Sequence, residues 1–301
     1  MDTLPVFTLT KNFVLLKVTN SVTLDDMKFG LEHDVLLDAQ VSAANLSSWL
    51  LSRGIAAVTT DDIAVLLGVP KGQVRQRMQR PKSRGEMISP SRGLWMPVEP
   101  QYRNWGAPPA IEIIDDLMEF LDCQYYVGWL SAAALLGSSH HAPQVFQVAT
   151  SCSVSHRTVG RSQMQFYRRS NIGKLATFSL ETKSGLVPVS TREVTMLDIA
   201  SGFSFVGGLN NAANLIVELC EGHSVGCDAL LVAAHYYSVA SIRRLGWMLE
   251  RFAGIRNLSC LAQYANSRSI NPSRLDPRES RLGEIDSAWG LIINRKIELD
   301  V

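Results

Sequence analysis

The chain has 301 residues, a formal charge of +1 and 46% apolar residues. That length and apolar content leave room for two cores and exclude a disordered chain. Near-neutrality excludes a global field toward nucleic acid or membrane, so any polyanion contact must come from local clustering. No apolar run reaches the roughly 18 to 20 residues needed to span a bilayer. The five cysteines include no CxxC pair, and with no signal peptide they read as reduced thiols of a cytoplasmic protein.

In chain order, residues 1–41 form an acidic extension in which "PVFTLT" and "FVLLKV" read as two short strands. "VSAANLSSWLLSRG", 41–54, has helical spacing at Leu46, Trp49 and Leu50, with Gly54 as a stop. "TTDDIAVLLGVPKGQVRQRMQR", 59–80, runs acidic, then apolar, turns at Gly68–Val69–Pro70 and becomes densely cationic. Thr60 or Asp61 can cap its first helix. "GEMISPSRGLWMPV" reads as two strands about a turn at 89–93, and "EPQYRNWGAPP" as a Pro-rich connector that few contacts cross. Beyond it, "AIEIIDDLMEFLD" and "YYVGWLSAAALLG" read as helices. "QVFQVATS", "RSQMQFYRRS", "LATFSL" and "GLVPVS" read as strands, 192–253 as a helical region, and "AWGLIINRKIELDV" as a strand pattern.

The cationic stretch has the spacing of a helix-turn-helix. Ala64 stands where two helices press together, Gly68 where the chain turns, and Val74 where the second helix anchors. At about 100° per residue, Val74 and Met78 share a face that should bury. Gln73, Gln76, Gln79 and Arg80 point away from it, and Arg75 and Arg77 lie on its flanks. Between 71 and 92 the cations Lys71, Arg75, Arg77, Arg80, Lys82, Arg84 and Arg92 face Glu86 alone, a local net of +6 (seven minus one). Glutamine suits adenine in the major groove and arginine suits phosphate or guanine, so the pattern points to double-stranded DNA. The following hairpin would be a wing with Arg92 at its tip.

A second basic run, Arg157, Arg161, Arg168 and Arg169, lies in residues 150–172, which contain no acid. A polyanion or partner surface and a plain solvated sheet face fit it equally.

No catalytic or metal constellation emerges. His140 and His141, with His156 or Cys152, lack the spacing of a helix metal site and read as a solvated turn. Cys220 and Cys227 beside His223 and His235 read as buried thiols among leucines. Asp115, Asp116, Glu193 and Asp198 read as surface, capping or arginine-paired carboxylates rather than an acid–base pair. GxSxG, P-loop and GxGxxG patterns are absent. The expectation is a protein without cofactor or enzymatic activity.

Six segments follow in a fixed order: "RGLWMPV", "YYVGWLSAAALLGSSHHAPQVFQVAT", "VGRSQMQFYRRSN", "VPVSTREVTMLDIA", "RRLGWMLE" and "DSAWGLIINRKIELD". Over about residues 45–301 this ordered set resembles the AbiEi-type antitoxins of bacterial type IV toxin–antitoxin systems. The resemblance implies an α+β protein: a winged helix-turn-helix, then a mixed α/β antitoxin domain. It implies repression of its own operon through operator DNA, where the chain could act as a homo-oligomer. It also implies neutralisation of a nucleotidyltransferase toxin, by contact or indirectly. The expected division is an extension over 1–41, a DNA-binding domain over 42–100, a linker over 101–109 and an antitoxin domain over 110–301. A winged-helix regulator whose C-terminal domain senses a ligand is the alternative.

Overall fold

The computed structural model describes residues 30–31, 40–138 and 143–299. Both strands expected in the extension, and the pair His140–His141, lie outside these residues.

Leu46 and Leu50, one turn apart, are fully buried on helix α1 (Leu46–Ser52). Strand β1 (Val58–Thr59) leads into α2 (Thr60–Leu67). The cap of α2 is Thr59 rather than Thr60 or Asp61, because Thr59 has the extended backbone a cap needs. The Asp62 N–H donates to Thr59 Oγ1 (3.1 Å), and the Thr59 N–H donates to Asp62 Oδ2 (2.7 Å). These bonds form a reciprocal capping box. Gly68 ends α2 in the left-handed region at φ +60°.

The cationic segment is α3 (Lys71–Arg77) and α4 (Gln79–Ser83), interrupted at Met78. Pro81 explains the break: it has no N–H for the Arg77 carbonyl, and its ring crowds that carbonyl. Strands β2 (Met87–Ser91) and β3 (Leu94–Pro97) pair antiparallel, with an irregular register between Ile88 and Ser91. With β1 they make a three-stranded sheet in the order β1–β3–β2. Val74 and Met78 bury with Leu46, Ile63, Leu66 and Trp95 in the core of this unit.

All four residues of β3 are buried, which fixes how the chain is joined. Trp95 faces the core just named. Leu94 and Met96, on the opposite face by strand alternation, join Ile88 and Val98 in a second core. That second core continues through Ile113, Leu117, Val127, Val148, Phe166 and Val189. This core therefore spans the two sides of the connector, where few contacts are expected from the sequence. The connector forms 3-10 turns at Pro100–Trp105 and Ala110–Glu112.

Helix α5 (Ile114–Phe120) follows. Tyr125–Val127, expected to be helical, is instead β4, a strand of β-forming residues, and helix α6 starts only at Trp129 (Trp129–Leu135). Strands β5 (Val145–Thr150), β6 (Arg157–Val159), β7 (Ser162–Arg168), β8 (Thr177–Thr182) and β9 (Gly185–Ser190) complete a six-stranded sheet in the order β6–β7–β5–β4–β9–β8. It is mixed: β5 runs parallel to β7 and β4 parallel to β9, and the other pairs are antiparallel. The second core covers one face. On the other lie α6, α7 (Arg192–Ser201), α8 (Leu209–Cys220), α9 (Cys227–Ala234), α10 (Val239–Arg251) and α11 (Ser259–Arg268). A small sheet closes the chain, with β10 (Ser273–Arg274), β11 (Glu284–Asp286) and β12 (Leu291–Ile293) in the order β10–β12–β11.

The cysteines differ from expectation. Cys123–Cys152 and Cys227–Cys260 are disulfides, because the fold brings residues 29 and 33 apart in sequence to Cα separations of 5.8 and 6.6 Å. Cys220 is a buried free thiol, its pKa pushed up to about 11 by burial. No described helix is long and apolar enough to cross a membrane.

Candidate nucleic-acid interface

A groove of about 1170 Å3 lies between α3–α4 and the β2–β3 hairpin. Its helical wall is Lys71, Arg75, Gln79 and Lys82; its hairpin wall is Ser89, Arg92 and Trp95. Thr59, Thr60 and Asp61 close one end, and Phe120 reaches in from α5. The hairpin tip is tied to α2, since the Thr60 N–H donates to the Gly93 carbonyl (2.8 Å) and Trp95 Nε1 donates to Thr60 Oγ1 (3.0 Å).

All ten residues singled out in this region are exposed: Lys71, Gln73, Arg75, Gln76, Arg77, Gln79, Arg80, Lys82, Arg84 and Arg92. They divide between two flanks. From buried Val74, steps of about 100° place Lys71, Arg75 and Lys82 toward the groove. Gln73, Arg77, Arg80 and Arg84 fall on the opposite flank, with Gln76 at the outermost point. Among these cations and the described residues, only Lys71 has a carboxylate partner, Asp61 at 2.8 Å. Exposed guanidinium and ammonium groups on both flanks of a helix anchored by a buried apolar face have the chemistry to bind phosphates.

The second basic run is not one surface. Arg161 and Arg168 are exposed, whereas Arg157 and Arg169 turn inward. Arg157 Nη1 donates to the Pro90 carbonyl on β2 (3.0 Å). Arg169 pairs with the fully buried Asp198, donates to Tyr126 Oη (2.9 Å) and lies over the Tyr237 ring at 4.2 Å. Tyr126 and Tyr237 donate to Asp198 at 2.9 and 2.7 Å. Burial alone would pull the pKa of the Arg169 guanidinium down, but the Asp198 carboxylate holds it above its ordinary value. The expected arginine partner of Asp198 is thus present, with the carboxylate fully buried and the guanidinium largely so.

The other candidates are structural as well. His156 Nδ1 accepts the Phe166 N–H (3.1 Å), and Asp115 accepts the Tyr125 hydroxyl (2.7 Å). Among the described residues no group of histidines, cysteines and carboxylates is placed to hold a metal.

Sequence reasoning missed the groove's far wall, Trp95 and Phe120. It also missed the reason for "RRLGWMLE" and "DSAWGLIINRKIELD". Arg243 and Arg244 are buried and donate to the carbonyls of Asn271 (2.7 Å), Ser269 (2.6 Å), Leu275 (2.8 Å) and Ala200 (2.6 Å). The Trp289 ring lies where a Cβ on Gly246 would stand, and its Nε1 donates to Glu250 (2.7 Å). The motif therefore holds the small terminal sheet on α10.

These elements define a mixed α+β protein in which a six-stranded sheet shares a core with a unit of helices and a hairpin. The AbiEi antitoxin C-terminal domain matches residues 126–251, so this part of the chain is similar to that domain. The matched stretch contains Tyr126, Arg169, Asp198, Tyr237, Arg243 and Arg244. Among solved structures, the RV2827C protein from Mycobacterium tuberculosis is similar in fold, with 16% identity and a TM-score of 0.58 over 83% of this chain and 90% of that one. No curated protein matches the chain.

Proposed function

We propose that this chain is the antitoxin of a type IV toxin–antitoxin pair. In this reading residues 42–100 are a winged helix that binds operator DNA and represses the chain's own operon. Residues 110–301 counteract a cognate nucleotidyltransferase toxin. The AbiEi domain at 126–251 supports the antitoxin half.

The observation that carries DNA binding is the cationic groove between α3–α4 and the hairpin, whose cations are exposed while Val74 and Met78 are buried. With α3 in the major groove, Gln73 and Gln76 face base edges. Arg75, Arg77, Arg80, Lys82 and Arg84 reach phosphates on either side, and the hairpin acts as the wing, with Arg92 at the adjacent backbone. Two copies on a two-fold operator would follow the usual geometry of such repressors. The protein acts in the cytoplasm, where operator and toxin are found, and needs neither cofactor nor catalytic residue.

A second reading, a ligand-sensing regulator, is favoured by a cavity of about 370 Å3 between the two parts, lined by Leu51, Ile55, Met96, Pro108 and Lys183.

Co-expression with the product of the neighbouring gene, scored for growth, tests the proposal together with a reporter driven by the chain's own promoter. Growth rescue with reporter repression is expected. Repression without rescue would leave only the regulator.

A further inference from the structure

The hairpin that carries Arg92 is held from behind by the C-terminal sheet. Arg157 stands opposite Met164 in the β6–β7 register, so both project to the same face, and Met164 is buried in the core shared with β2 and β3. Arg157 therefore points at β2. There the register pairs Ile88 with Met96 and Ser91 with Leu94, leaving Ser89 and Pro90 opposite Trp95 alone. Such a bulge frees a backbone group from the ladder. The Pro90 carbonyl, two residues before Arg92, accepts from Arg157 Nη1 at 3.0 Å.

Both ends of β6 are fixed. His156 Nδ1 accepts the Phe166 N–H at 3.1 Å. At the other end Gly160, with φ +56°, lies so close to the connector that a Cβ would come within 2.5 Å of the Gly106 carbonyl carbon. Beside the tip, a Cβ on Gly93 would meet the Phe120 ring at 3.2 Å, so α5 backs the turn itself. Among the described residues Arg157 has no carboxylate partner, and its Nε is buried without a hydrogen bond. Burial lowers its pKa below the ordinary arginine value. A half-buried cation is costly unless hydrogen-bonded, and the Pro90 carbonyl is the acceptor that offsets that cost.

We propose that Arg157 is a positioning residue for DNA binding: it locks the bulge of β2 against β6 and so sets Arg92 at the mouth of the groove, without touching DNA itself. The inference rests on the DNA-binding reading above. It removes Arg157 from the basic run as a contact and gives it work in the wing.

The test uses the full chain and a labelled duplex from its own promoter region. Arg157→Met keeps the apolar stem and deletes the donor; Arg157→Lys restores one. The Met variant should melt cooperatively like the parent. It should bind roughly 5- to 10-fold more weakly, the scale of one ordinary hydrogen bond. Its salt slope should be shallower by about 1, because Arg92 no longer reaches its phosphate. Arg157→Lys should recover most of the affinity. The decisive readout is the cycle with Arg92→Ala. The double variant should bind within about twofold of Arg92→Ala alone, since the two changes remove one interaction. Losses that multiply would mean that Arg157 contacts DNA or acts elsewhere, and would overturn the proposal. So would unchanged affinity, or a Met variant that no longer melts cooperatively. Arg75→Ala with Arg77→Ala is the control: if that folded pair binds like the parent, the DNA reading itself has failed, independently of Arg157.

Discussion

Asp61 brings a carboxylate into a groove whose other charged residues are all cations, 2.8 Å from Lys71. Both side chains are exposed, and such pairs contribute only about 0–1 kcal/mol to stability. Its larger effect should be on binding, where it competes with phosphate for Lys71. Asp61→Asn should leave the melting temperature nearly unchanged and tighten duplex binding about threefold at low salt, steepening the salt slope by up to about 1. Anisotropy titrations of parent and variant check this.

Asp116, on α5, gives a prediction in pH. Burial first, then the neighbouring Asp115 and Glu119 carboxylates, push the pKa of its carboxyl from 3.8 up to about 7, and its Oδ2 is buried without a partner. The folded state thus holds this proton more tightly than the unfolded chain. The associated stability is fully present below about pH 4 and is lost as pH rises through about 7. The melting temperature should rise between about pH 8 and pH 5, and Asp116→Asn should flatten that rise. An unaltered profile in the variant would assign the dependence to other groups.

Helix α3 shows what local sequence can reveal. Val74 and Met78 share one face by helical period, and both are fully buried, so the outward cations could be read from the sequence alone. The two flanks make separable predictions. Gln73→Ala and Gln76→Ala should cost operator binding about 1–3 kcal/mol each while sparing random duplex, if they meet adenines. Equal losses on both duplexes would mean the helix is oriented differently. What lay beyond the sequence was non-local. Tyr125–Val127 is too short for period to tell strand from helix, and its place is fixed by pairing with β5 and β9. Helix α11, "SCLAQYANSR", has no continuous apolar stripe; only Leu261 and Ala265 are buried. Phe120 completes the groove from a distant position where no local pattern marks it, and the basic run that contains Arg157 does not reveal that this side chain turns inward to β2.

Across the whole molecule, the sharing of one core changes how the parts should behave. Cutting after residue 100 would expose Ile88, Leu94, Met96 and Val98, which are buried against the C-terminal sheet. At about 25 cal/mol per Å2 of apolar surface, that loss is large for so small a unit. A 42–100 fragment should therefore melt without cooperativity or aggregate, contrary to what a Pro-rich connector suggests; a sharp, reversible melt would contradict the shared core. At the opposite end, Gly246→Ala places a methyl group where the Trp289 ring lies. It should destabilise the chain by about 1–3 kcal/mol or more, read as a lowered denaturant midpoint.

Binding of the full chain to a duplex from its own promoter, followed by anisotropy across a salt series, bears most directly on the groove. The observed affinity should fall steeply and log-linearly with salt. Replacing Arg75, Arg77 and Arg80 together by alanine should weaken binding and make the slope shallower by up to about 3, roughly 1 for each phosphate no longer neutralised. A folded triple variant with the parent's affinity and slope would show that α3 does not face DNA.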